Sequence, residues 1–567
     1  MENHEIANVL DEVADLLEVS EDNFFRVRAY RNAARTIRDF PTPLARMSAE
    51  DLQELPGIGA DLAGKIATLI TTGELPLHRQ LTHKVPPGLV ALTRLPGLGP
   101  KRVRLLSQKL RIRDLKDLKR ALEDGRLRAV RGFGPKICDT LAAAIARQAE
   151  APRTRTLYPE AAAIAHKLVE HLRGAPGVVR IDAAGSLRRR KDTIGDLDIV
   201  AAAADPAPVM DRLVQYSGVK QVLEKGETRT SVALAADFHV DLRVVPPQSY
   251  GAALLYFTGS QAHDIHLRRL AQERGMLLNE YGLFRGKKRI AAAEEKDIYK
   301  ALNLEWIPPE LREDRGEIEA AARGQLPHLI TREDLRGDLH THSSYTDGRV
   351  SIKEMASAAR ELGMEYLAIT DHSKRIAMAH GLNPAGLRKQ RREIERVQRE
   401  VGIRVLRGIE VDILDDGALD LPDDALAELD WVVASAHYKL AQNSRDMTRR
   451  LVRAIRNPNV DVIGHPSGRL LGEREASTFD WGEVLHAARE EGCALELDSQ
   501  ADRLDLTDTA CLAARREGVW IVISSDAHHP HEFAMLEFGI NQARRGWIEP
   551  ANVLNTRPWE KFPRRTR

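Results

Sequence analysis

The C-terminal part of the chain, from Arg336 onward, alternates short apolar segments with amphipathic helical segments. The apolar segments include YLAIT, VLRGIEV, WVVASAH, VDVIGH, CALELD and WIVISSD, and the helical ones include SIKEMASAARELG and SRDMTRRLVRAI. Repeated strand–helix units predict parallel strands with helices outside them. Because polar side chains follow several of these segments, where the strands end, we expect a βα barrel rather than an open sheet.

Histidines and acids recur directly after these apolar segments. A single histidine is usually a core or surface residue, but here the pattern repeats as HTH at 340–342, TDH at 370–372, GIE at 408–410, SAH at 435–437, GHP at 464–466 and SDAH at 525–528. A His-x-His pair on an extended segment places both imidazoles on one side, which suits Zn²⁺, Mn²⁺ or Fe²⁺, and carboxylates can bridge several ions. The pattern predicts a metal cluster at the strand ends.

An internal repeat marks the N-terminal part of the chain. LPGIG at 55–59, LPGLG at 95–99 and VRGFG at 130–134 each precede an amphipathic helical segment. Glycines permit a tight turn, and the following helix begins with unpaired N–H groups and a positive dipole end, so the unit can hold a phosphate. One Gly-x-Gly is an ordinary turn between helices, whereas three resemble helix-hairpin-helix motifs, which grip the DNA backbone. The candidate DNA-binding glycines are Gly57, Gly59, Gly97, Gly99, Gly132 and Gly134.

Charge is unevenly distributed, although the formal net charge is only +1. Residues 76–150 carry 17 Lys and Arg against six Asp and Glu, an excess that can attract a polyanion. The three cysteines are too few for a disulfide framework, and no apolar run is long enough to cross a membrane. We therefore expect a cytoplasmic protein without membrane association.

An Asp-x-Asp pair stands in the middle of the chain, in GSLRRRKDTIGDLDIV at 185–200. On a strand Asp196 and Asp198 share one face, and in FHVDLR the same alternation turns Asp241 away from the apolar face. Convergent carboxylates are costly unless cations lie between them, and Mg²⁺ prefers such oxygen ligands. A lone Asp-x-Asp is more often a surface strand edge, but the adjacent Gly-Ser and basic run favour a two-metal site.

These residues resemble the signature of family X DNA polymerases of the polymerase beta kind, over residues 1–316. The resemblance implies Mg²⁺ or Mn²⁺ held by Asp196, Asp198 and Asp241, and places Gly185, Ser186, Arg189 and Gly195 at the dNTP. YFTGS at 256–260 matches the sugar-gate motif, with Tyr256, Phe257 and Gly259 near the deoxyribose, and Arg268 matches a template-strand contact. Asp264 stands where the family usually has an Asn that reads the minor-groove edge of the nascent base pair. An ionised carboxylate accepts but cannot donate a hydrogen bond, so we expect nucleotide affinity or selectivity to differ.

The first eighty residues resemble the lyase domain of the same family. Lys65 takes the position of the Schiff-base lysine, which must lose its proton to attack an abasic sugar, as burial or neighbouring cations would promote. An ordinary exposed lysine is the alternative, since Phe25 and Asp61 replace a polar and a basic residue of the family pocket.

The C-terminal histidine pattern resembles the PHP (polymerase and histidinol phosphatase) domain, a distorted βα barrel with up to three divalent ions, Zn²⁺, Mn²⁺ or Fe²⁺. The nine ligand positions that this resemblance implies are all filled by competent residues: His340, His342, Asp347, His372, Glu410, His437, His465, Asp526 and His528. The implied activity is hydrolysis of phosphoesters at a DNA end. A metal-stabilised structural domain is the alternative.

We therefore expect a multidomain α/β protein of 567 residues. The expected parts are a lyase-like helical domain (1–80), a DNA-binding helical domain with two helix-hairpin-helix motifs (81–150), a nucleotidyltransferase palm with a mixed sheet (151–246), a thumb-like nascent-pair-binding subdomain (247–316), a linker (317–335) and the PHP barrel (336–567).

The expected function is filling of short gaps in DNA repair. The expected partners are gapped or primer-template DNA and dNTPs, with a monomeric protein that also has 3′–5′ exonuclease activity. Further options are 3′-phosphatase, abasic-site endonuclease and 5′-deoxyribose-phosphate lyase activity. The alternatives are a PHP phosphoesterase with a non-catalytic DNA-binding N-terminal half, and a DNA-end binding protein without catalysis.

Overall fold

The protein divides into two compact units, Met1–Arg153 and Thr154–Arg567, in a computed structural model. The structure describes residues 3–20, 23–38, 44, 47–53, 55, 57–73, 75–84, 89, 92, 98, 100–130, 132–134, 137–138, 141, 155–376 and 380–563.

The first unit is helical. Its helices are Asn3–Val19, Phe24–Arg38, Ala49–Gln53, Ala60–Thr72, Pro76–Lys84, Pro100–Leu110 and Leu115–Glu123, with a 3-10 turn at Arg126–Ala129. Apolar side chains from 1–80 and from 81–150, such as Leu10 and Leu106, pack into one continuous core. The expected division at residue 80 therefore does not separate two cores among the described residues.

The glycine turns have the backbone that the sequence predicts where the structure describes them. Gly57 and Gly132 have φ of 80° and 96°, a region that favours glycine. Gly59 precedes helix Ala60–Thr72 as its N-cap, with no side chain to cap the first N–H groups. Gly97 and Gly99 lie outside the described residues.

The first part of the second unit contains a mixed five-stranded sheet. Its strands are β2 (Arg180–Ala183), β4 (Asp196–Ala202), β5 (Gln221–Lys225), β6 (Arg229–Ala233) and β7 (His239–Val245), in the spatial order β2-β4-β7-β6-β5. A separate pair is formed by β1 (Thr156–Leu157) and β3 (Thr193–Ile194). Helices Tyr158–Arg173, Gly185–Arg188 and Ala207–Val214 accompany the sheet. Only the β4–β7 pair is parallel in this sheet, so the starts of these two strands lie side by side.

The next part has its own small core. It contains helices Tyr250–Thr258, Gln261–Glu273 and Glu295–Ala301 and an antiparallel sheet of β8 (Leu277–Asn279), β9 (Gly282–Arg285) and β10 (Lys288–Ala291). Residues 317–335, expected as a linker, contribute helix Glu317–Ala322 and the buried Ile318 and Leu329 to this core. Glu317 is fully buried and accepts a hydrogen bond of 2.6 Å from His263 Nδ1, so the segment is packed rather than extended in solvent.

The C-terminal part is the expected barrel. Seven strands pair in parallel in chain order, and a parallel bridge from Thr341 to Ala527 joins the first edge to the last. They are β11 (Gly337–Asp338), β12 (Tyr366–Ile369), β13 (Arg404–Asp412), β14 (Trp431–Ser435), β15 (Val462–Ile463), β16 (Ala494–Asp498) and β17 (Ile521–Ser524). The helices are Ile352–Glu361, Pro384–Val401, Asp423–Ala427, Ser444–Ile455, Trp481–Glu491, Asp508–Glu517 and Leu536–Arg545. The strand–helix alternation of the sequence is thus confirmed.

No helix within the described ranges combines the length and apolarity that a bilayer crossing requires.

A buried ion pair stabilises the part between the mixed sheet and the barrel, and its loss should be costly. The fully buried Arg312 donates to Glu295 at 2.7 Å and to the Ile307 carbonyl at 2.9 Å. We expect Arg312→Met to lower the free energy of unfolding by roughly 3 kcal/mol, because Glu295 loses one of its guanidinium partners. Urea denaturation of the full chain measures the loss. Arg173→Met removes the exposed pair with Glu170 and should cost less than about 1 kcal/mol; equal losses would contradict the prediction.

Candidate functional site

Histidine and carboxylate groups converge where the barrel strands end. Three groups each bring their ligand atoms within 4.8 Å of one another: His342, Asp347, His372 and His528; His340, His342 and Asp526; His372, Glu410 and His437. His465 Nε2 lies 3.0 Å from Glu410, so all nine candidate ligands belong to one cluster. Parallel strands produce this arrangement because their carboxyl ends meet at the same edge.

Glu410 lies at the centre of the cluster. Its carboxylate is 2.8 Å from His372 Nδ1, 3.0 Å from His465 Nε2 and 3.2 Å from His437 Nε2. Burial alone would raise the pKa of Glu410, but the surrounding imidazoles, His437 foremost, hold it well below its usual value. The carboxylate is therefore ionised and available as a bridging ligand.

The donor set fits divalent metal ions. His340 Nε2 and His342 Nδ1 are buried without a hydrogen-bond partner, and His342 Nε2 lies 3.0 Å from Asp526 without hydrogen-bond geometry, a costly state that a metal ion would relieve. Burial, with the neighbouring His528 and His372, lowers the pKa of His342 to about 3, so its imidazole is neutral and presents a lone pair.

Two buried acids that sequence reasoning missed orient these histidines. Glu496 accepts from His340 Nδ1 at 2.7 Å and from the His465 backbone N–H at 2.8 Å. Asp412 accepts from His437 Nδ1 at 3.1 Å. Such partners fix the ring orientation of metal-ligating histidines. The sequence does contain a signal for both acids: Glu496 stands inside the apolar segment ALELD and Asp412 inside IEVDI. A charge buried in an apolar strand is costly unless it has a partner.

A second cluster of candidate metal ligands, made of carboxylates, lies on the mixed sheet. Asp198 on β4 and Asp241 on β7 are register partners on adjacent parallel strands, and Asp196 precedes Asp198 by two residues on β4. Asp198 and Asp241 line a cavity of about 240 Å³ together with Arg229, Arg243 and Phe257. Arg229 donates to Asp241 at 2.9 Å and neutralises part of the charge. The structure thus brings the three predicted carboxylates together.

The electrostatics of this cluster also favour a cation. Burial, then repulsion from Asp196 and Asp241, raises the pKa of Asp198 to about 7. Gly185, with φ of 57°, lets the backbone pass so close that a Cβ there would lie 2.1 Å from Asp198 Oδ2. Glycine is therefore required beside the carboxylate, and Ser186 follows it in the short helix Gly185–Arg188.

Arg189, expected at the dNTP phosphates, is only 13% exposed and already has a carboxylate partner. Its Nε donates to Glu313 at 3.0 Å, and its Nη1 donates to the Thr258 carbonyl. Gly259, whose φ is 66°, lies against this guanidinium. Gly195 lies next to Arg155.

The sugar-gate residues are divided between two cavities: Phe257 lines the one at Asp198 and Asp241, and Tyr256 lines a second, small one with Asp264, Arg268 and Asn279 among others. The Arg268 guanidinium stacks over the Tyr256 ring at 5.6 Å, and Tyr256 meets Phe257 edge to face at 5.1 Å. Burial raises the pKa of Asp264 to about 8, even though Arg268, Arg312 and Arg189 act in the opposite direction. This carboxyl is thus neutral at pH 7.

The environment of Lys65 is opposite to the one that a Schiff-base lysine needs. Burial acts to lower the pKa of Lys65, but the Asp61 carboxylate and Tyr30 outweigh it and raise the pKa. The ammonium pairs with Asp61 one helical turn away and lies 5.6 Å from the Tyr30 ring centroid. A lysine held in its charged form is a poor nucleophile.

The metal cluster makes a prediction that does not depend on activity. His342 belongs to two of the three ligand groups, so His342→Ala should lose most of the ions that the wild-type protein retains. Elemental analysis of dialysed protein measures the metal content. His486→Ala, which removes an exposed histidine on a barrel helix, serves as the matched control and should retain the wild-type content. Equal metal content in all three proteins would contradict the cluster.

Four family models match the chain. They are a helix-hairpin-helix domain at residues 1–75, a SAM-like helix-hairpin-helix tandem at 89–147, the DNA polymerase beta thumb at 253–313 and the PHP domain at 338–500. Their order along the chain follows the architecture described above.

Curated relatives match over two different lengths. The DNA polymerase/3′-5′ exonuclease PolX of Bacillus subtilis strain 168 is 37% identical over 566 residues, covering 98% of both chains. A probable phosphatase of Thermoanaerobacter sp. strain X514 is 32% identical over 231 residues, 39% of this chain and 89% of the relative. A probable phosphatase of Vibrio parahaemolyticus is 31% identical over 238 residues, 39% of this chain and 90% of the relative. The full-length match agrees with the helix-hairpin-helix, thumb and PHP models and with the two clusters of candidate metal ligands. This chain therefore belongs to the family X DNA polymerases that carry a C-terminal PHP domain.

Proposed function

We propose that this protein is a repair polymerase that fills short gaps in DNA by template-directed dNTP addition and trims 3′ ends with its PHP domain. The observation that carries the proposal is the presence of two separate sets of metal-ligating side chains in one chain: the carboxylates of the mixed sheet and the imidazole-rich cluster of the barrel. The full-length match to a DNA polymerase/3′-5′ exonuclease supports the same pairing of activities.

In the polymerase half, Asp196, Asp198 and Asp241 would hold Mg²⁺ or Mn²⁺. Such ions activate an attacking hydroxyl and neutralise the leaving pyrophosphate. The chain's own groups would orient the dNTP: Ser186, in the short helix Gly185–Arg188, and Arg189 directly after it would contact its phosphates. The ring pair of Tyr256 and Phe257 would pack against the deoxyribose.

In the PHP half, the nine barrel residues would hold up to three divalent ions of the Zn²⁺, Mn²⁺ or Fe²⁺ class. These ions activate water and neutralise phosphate oxygens. Glu496 and Asp412 keep the ligand histidines oriented through their second ring nitrogens. The ligand set is complete, which supports catalysis over a purely structural role for the domain.

The substrates follow from these assignments. The helix-hairpin-helix turns at Gly57–Gly59 and Gly132–Gly134 would bind phosphates of gapped or primer-template DNA through backbone N–H groups. We place the protein in the cytoplasm as a monomer acting on DNA and dNTPs. Lyase activity is not part of the proposal, because Asp61 holds Lys65 in its charged form.

A phosphatase activity of the PHP site is a second candidate. It is favoured by the probable phosphatases whose similarity covers about two fifths of this chain. The same cluster would then remove a 3′-phosphate from DNA. Release of phosphate from a 3′-phosphorylated oligonucleotide, compared with histidinol phosphate, tests this candidate and separates a DNA-directed from a small-molecule phosphoesterase.

Two substitutions should separate the two main activities. On one gapped duplex, Asp198→Ala should abolish dNTP incorporation and leave Mn²⁺-dependent 3′ degradation intact, because only the mixed-sheet cluster loses a ligand. His342→Ala should do the reverse. Primer extension with and without dNTPs measures both activities. Asp211→Ala, at an exposed pair with Lys225 beside the same sheet, should retain both. Loss of both activities in one folded variant would contradict separate sites.

Asp264 predicts an unusual pH dependence of dNTP binding. Below its pKa of about 8 the carboxyl is protonated and donates a hydrogen bond as an Asn amide would; above it the carboxylate can only accept. The KM for dCTP should therefore rise in the wild type between pH 7 and pH 9, by up to about tenfold. The Asn side chain of Asp264→Asn cannot titrate, so the KM of this variant for dCTP should not rise in the same way between pH 7 and pH 9. Parallel pH profiles for the two proteins would refute this role of Asp264.

A further inference from the structure

The basic run of residues 188–192 is docked on the barrel domain. Arg190 Nη1 donates to Glu537 at 3.1 Å, and Arg469 Nη1 donates to Asp192 at 3.2 Å. The Arg189 carbonyl accepts a hydrogen bond of 2.7 Å from Arg545 Nη1. The loop that follows Ser186 is therefore positioned partly by the barrel domain.

One carboxylate, Glu313, connects the two domains at this place. It accepts from Arg189 Nε at 3.0 Å and from Arg545 Nη1 at 3.1 Å, and Lys191 Nζ lies 3.7 Å away. Burial would raise the pKa of Glu313, but these cations, Arg545 foremost, lower it to about 2. Glu313 is thus ionised and bridges two guanidinium groups.

Arg545 is fixed on all sides. Its side chain is 2% exposed, and its Nη2 donates to Asp508 at 2.7 Å, while Asp508 also accepts from Arg315 at 3.1 Å. A planar guanidinium can reach the Arg189 carbonyl, Glu313 and Asp508 at the same time, which a lysine ammonium on a flexible stem does less well.

These contacts determine which donor Arg189 presents. Nε is held by Glu313 and Nη1 by the Thr258 carbonyl, whereas Nη2 has no partner among the described residues. Gly259 lies against the same guanidinium. Gly185, which lies against the Asp198 carboxylate, and Ser186 begin the short helix that ends directly before Arg189. One N–H₂ group of Arg189 is therefore left for an anion at the position proposed for the dNTP phosphates.

We propose that Arg545 of the barrel domain is a positioning residue for the polymerase reaction, acting through Glu313 and the Arg189 carbonyl to orient Arg189 toward the triphosphate. This inference rests on the proposed function of Arg189. The PHP barrel then contributes to dNTP binding through a residue outside its metal cluster, and the exonuclease half cannot be detached without weakening the polymerase half.

The test is dNTP binding and incorporation by the full chain. Arg545→Met should raise the KM for dNTP by about tenfold while kcat changes less than about threefold, as expected for lost ground-state positioning. Arg545→Lys should give an intermediate KM. Arg189→Ala should raise the KM itself, and Arg545→Met added to it should have little further effect, because residues on one path are not additive.

Arg515→Met is the matched control. It breaks another arginine–carboxylate pair of the barrel, with Glu549, and Arg515 is not among the partners of Arg189 or Glu313, so the dNTP KM should stay near the wild-type value. The PHP exonuclease activity and the circular dichroism spectrum of each variant report whether the barrel remains folded. Should Arg545→Met not fold, Glu313→Gln weakens the same bridge without a cavity and should raise the KM similarly.

Equilibrium binding of a dNTP to the protein on a dideoxy-terminated gapped duplex separates this inference from the proposed function. A wild-type protein that binds dNTP but never incorporates it would overturn the polymerase assignment, and weaker binding by Arg545→Met would still support the inference. Unchanged dNTP affinity in Arg545→Met and Glu313→Gln, an equal effect of Arg545→Met in the Arg189→Ala background, or no dNTP binding by wild type would overturn the inference.

Discussion

A charge removed from water must be met by an opposite charge, and this constraint joins the parts of the second unit. Two glutamates of one short stretch pair with arginines from other parts of the chain: Glu310 with Arg544, and Glu313 with Arg189 and Arg545. In the same stretch the buried Glu317 accepts a hydrogen bond from His263, whose pKa burial lowers. Removing one partner of such a buried pair leaves an uncompensated charge, which costs several kcal/mol. The ion pairs of this stretch therefore hold the mixed sheet, the thumb-like part and the barrel together.

The two candidate metal sites depend on the opposite arrangement, in which groups that repel or remain unpartnered are held close. Asp198 lies beside Asp241 by strand register, and the imidazoles of His340 and His342 are buried with unpartnered nitrogens. Such clusters are costly by themselves and become favourable only around cations. Packing of the strands on their apolar cores offsets the cost of holding these ligand groups close together before a metal ion binds.

Much of the site could be predicted from the sequence because its residues sit at regular positions on strands. The period of two put Asp196 and Asp198 on one face, the apolar segments followed by His or acid indicated most of the barrel ligands, and the PHP resemblance implied the complete set of nine. Whether Lys65 has the lowered pKa that lyase chemistry requires could not be judged in this way, because its pKa depends on which neighbours fold against the lysine, and these are Asp61 and Tyr30. Glu496 and Asp412 were missed because their histidine partners follow other strands, 156 and 25 positions away, and the pairing depends on how those strands assemble.

The sequence by itself determined the strand–helix alternation of the C-terminal part, the parallel barrel and the chemical types of the ligands, because these follow from local side-chain periods and from which atoms a divalent ion prefers. Only the tertiary structure decided that residues 188–192 dock on the barrel, that Arg189 shares Glu313 with Arg545, and that residues 317–335 are packed. The contacts of residues 188–192 and Glu313 join residues more than a hundred positions apart, and no local pattern records which buried charges will meet.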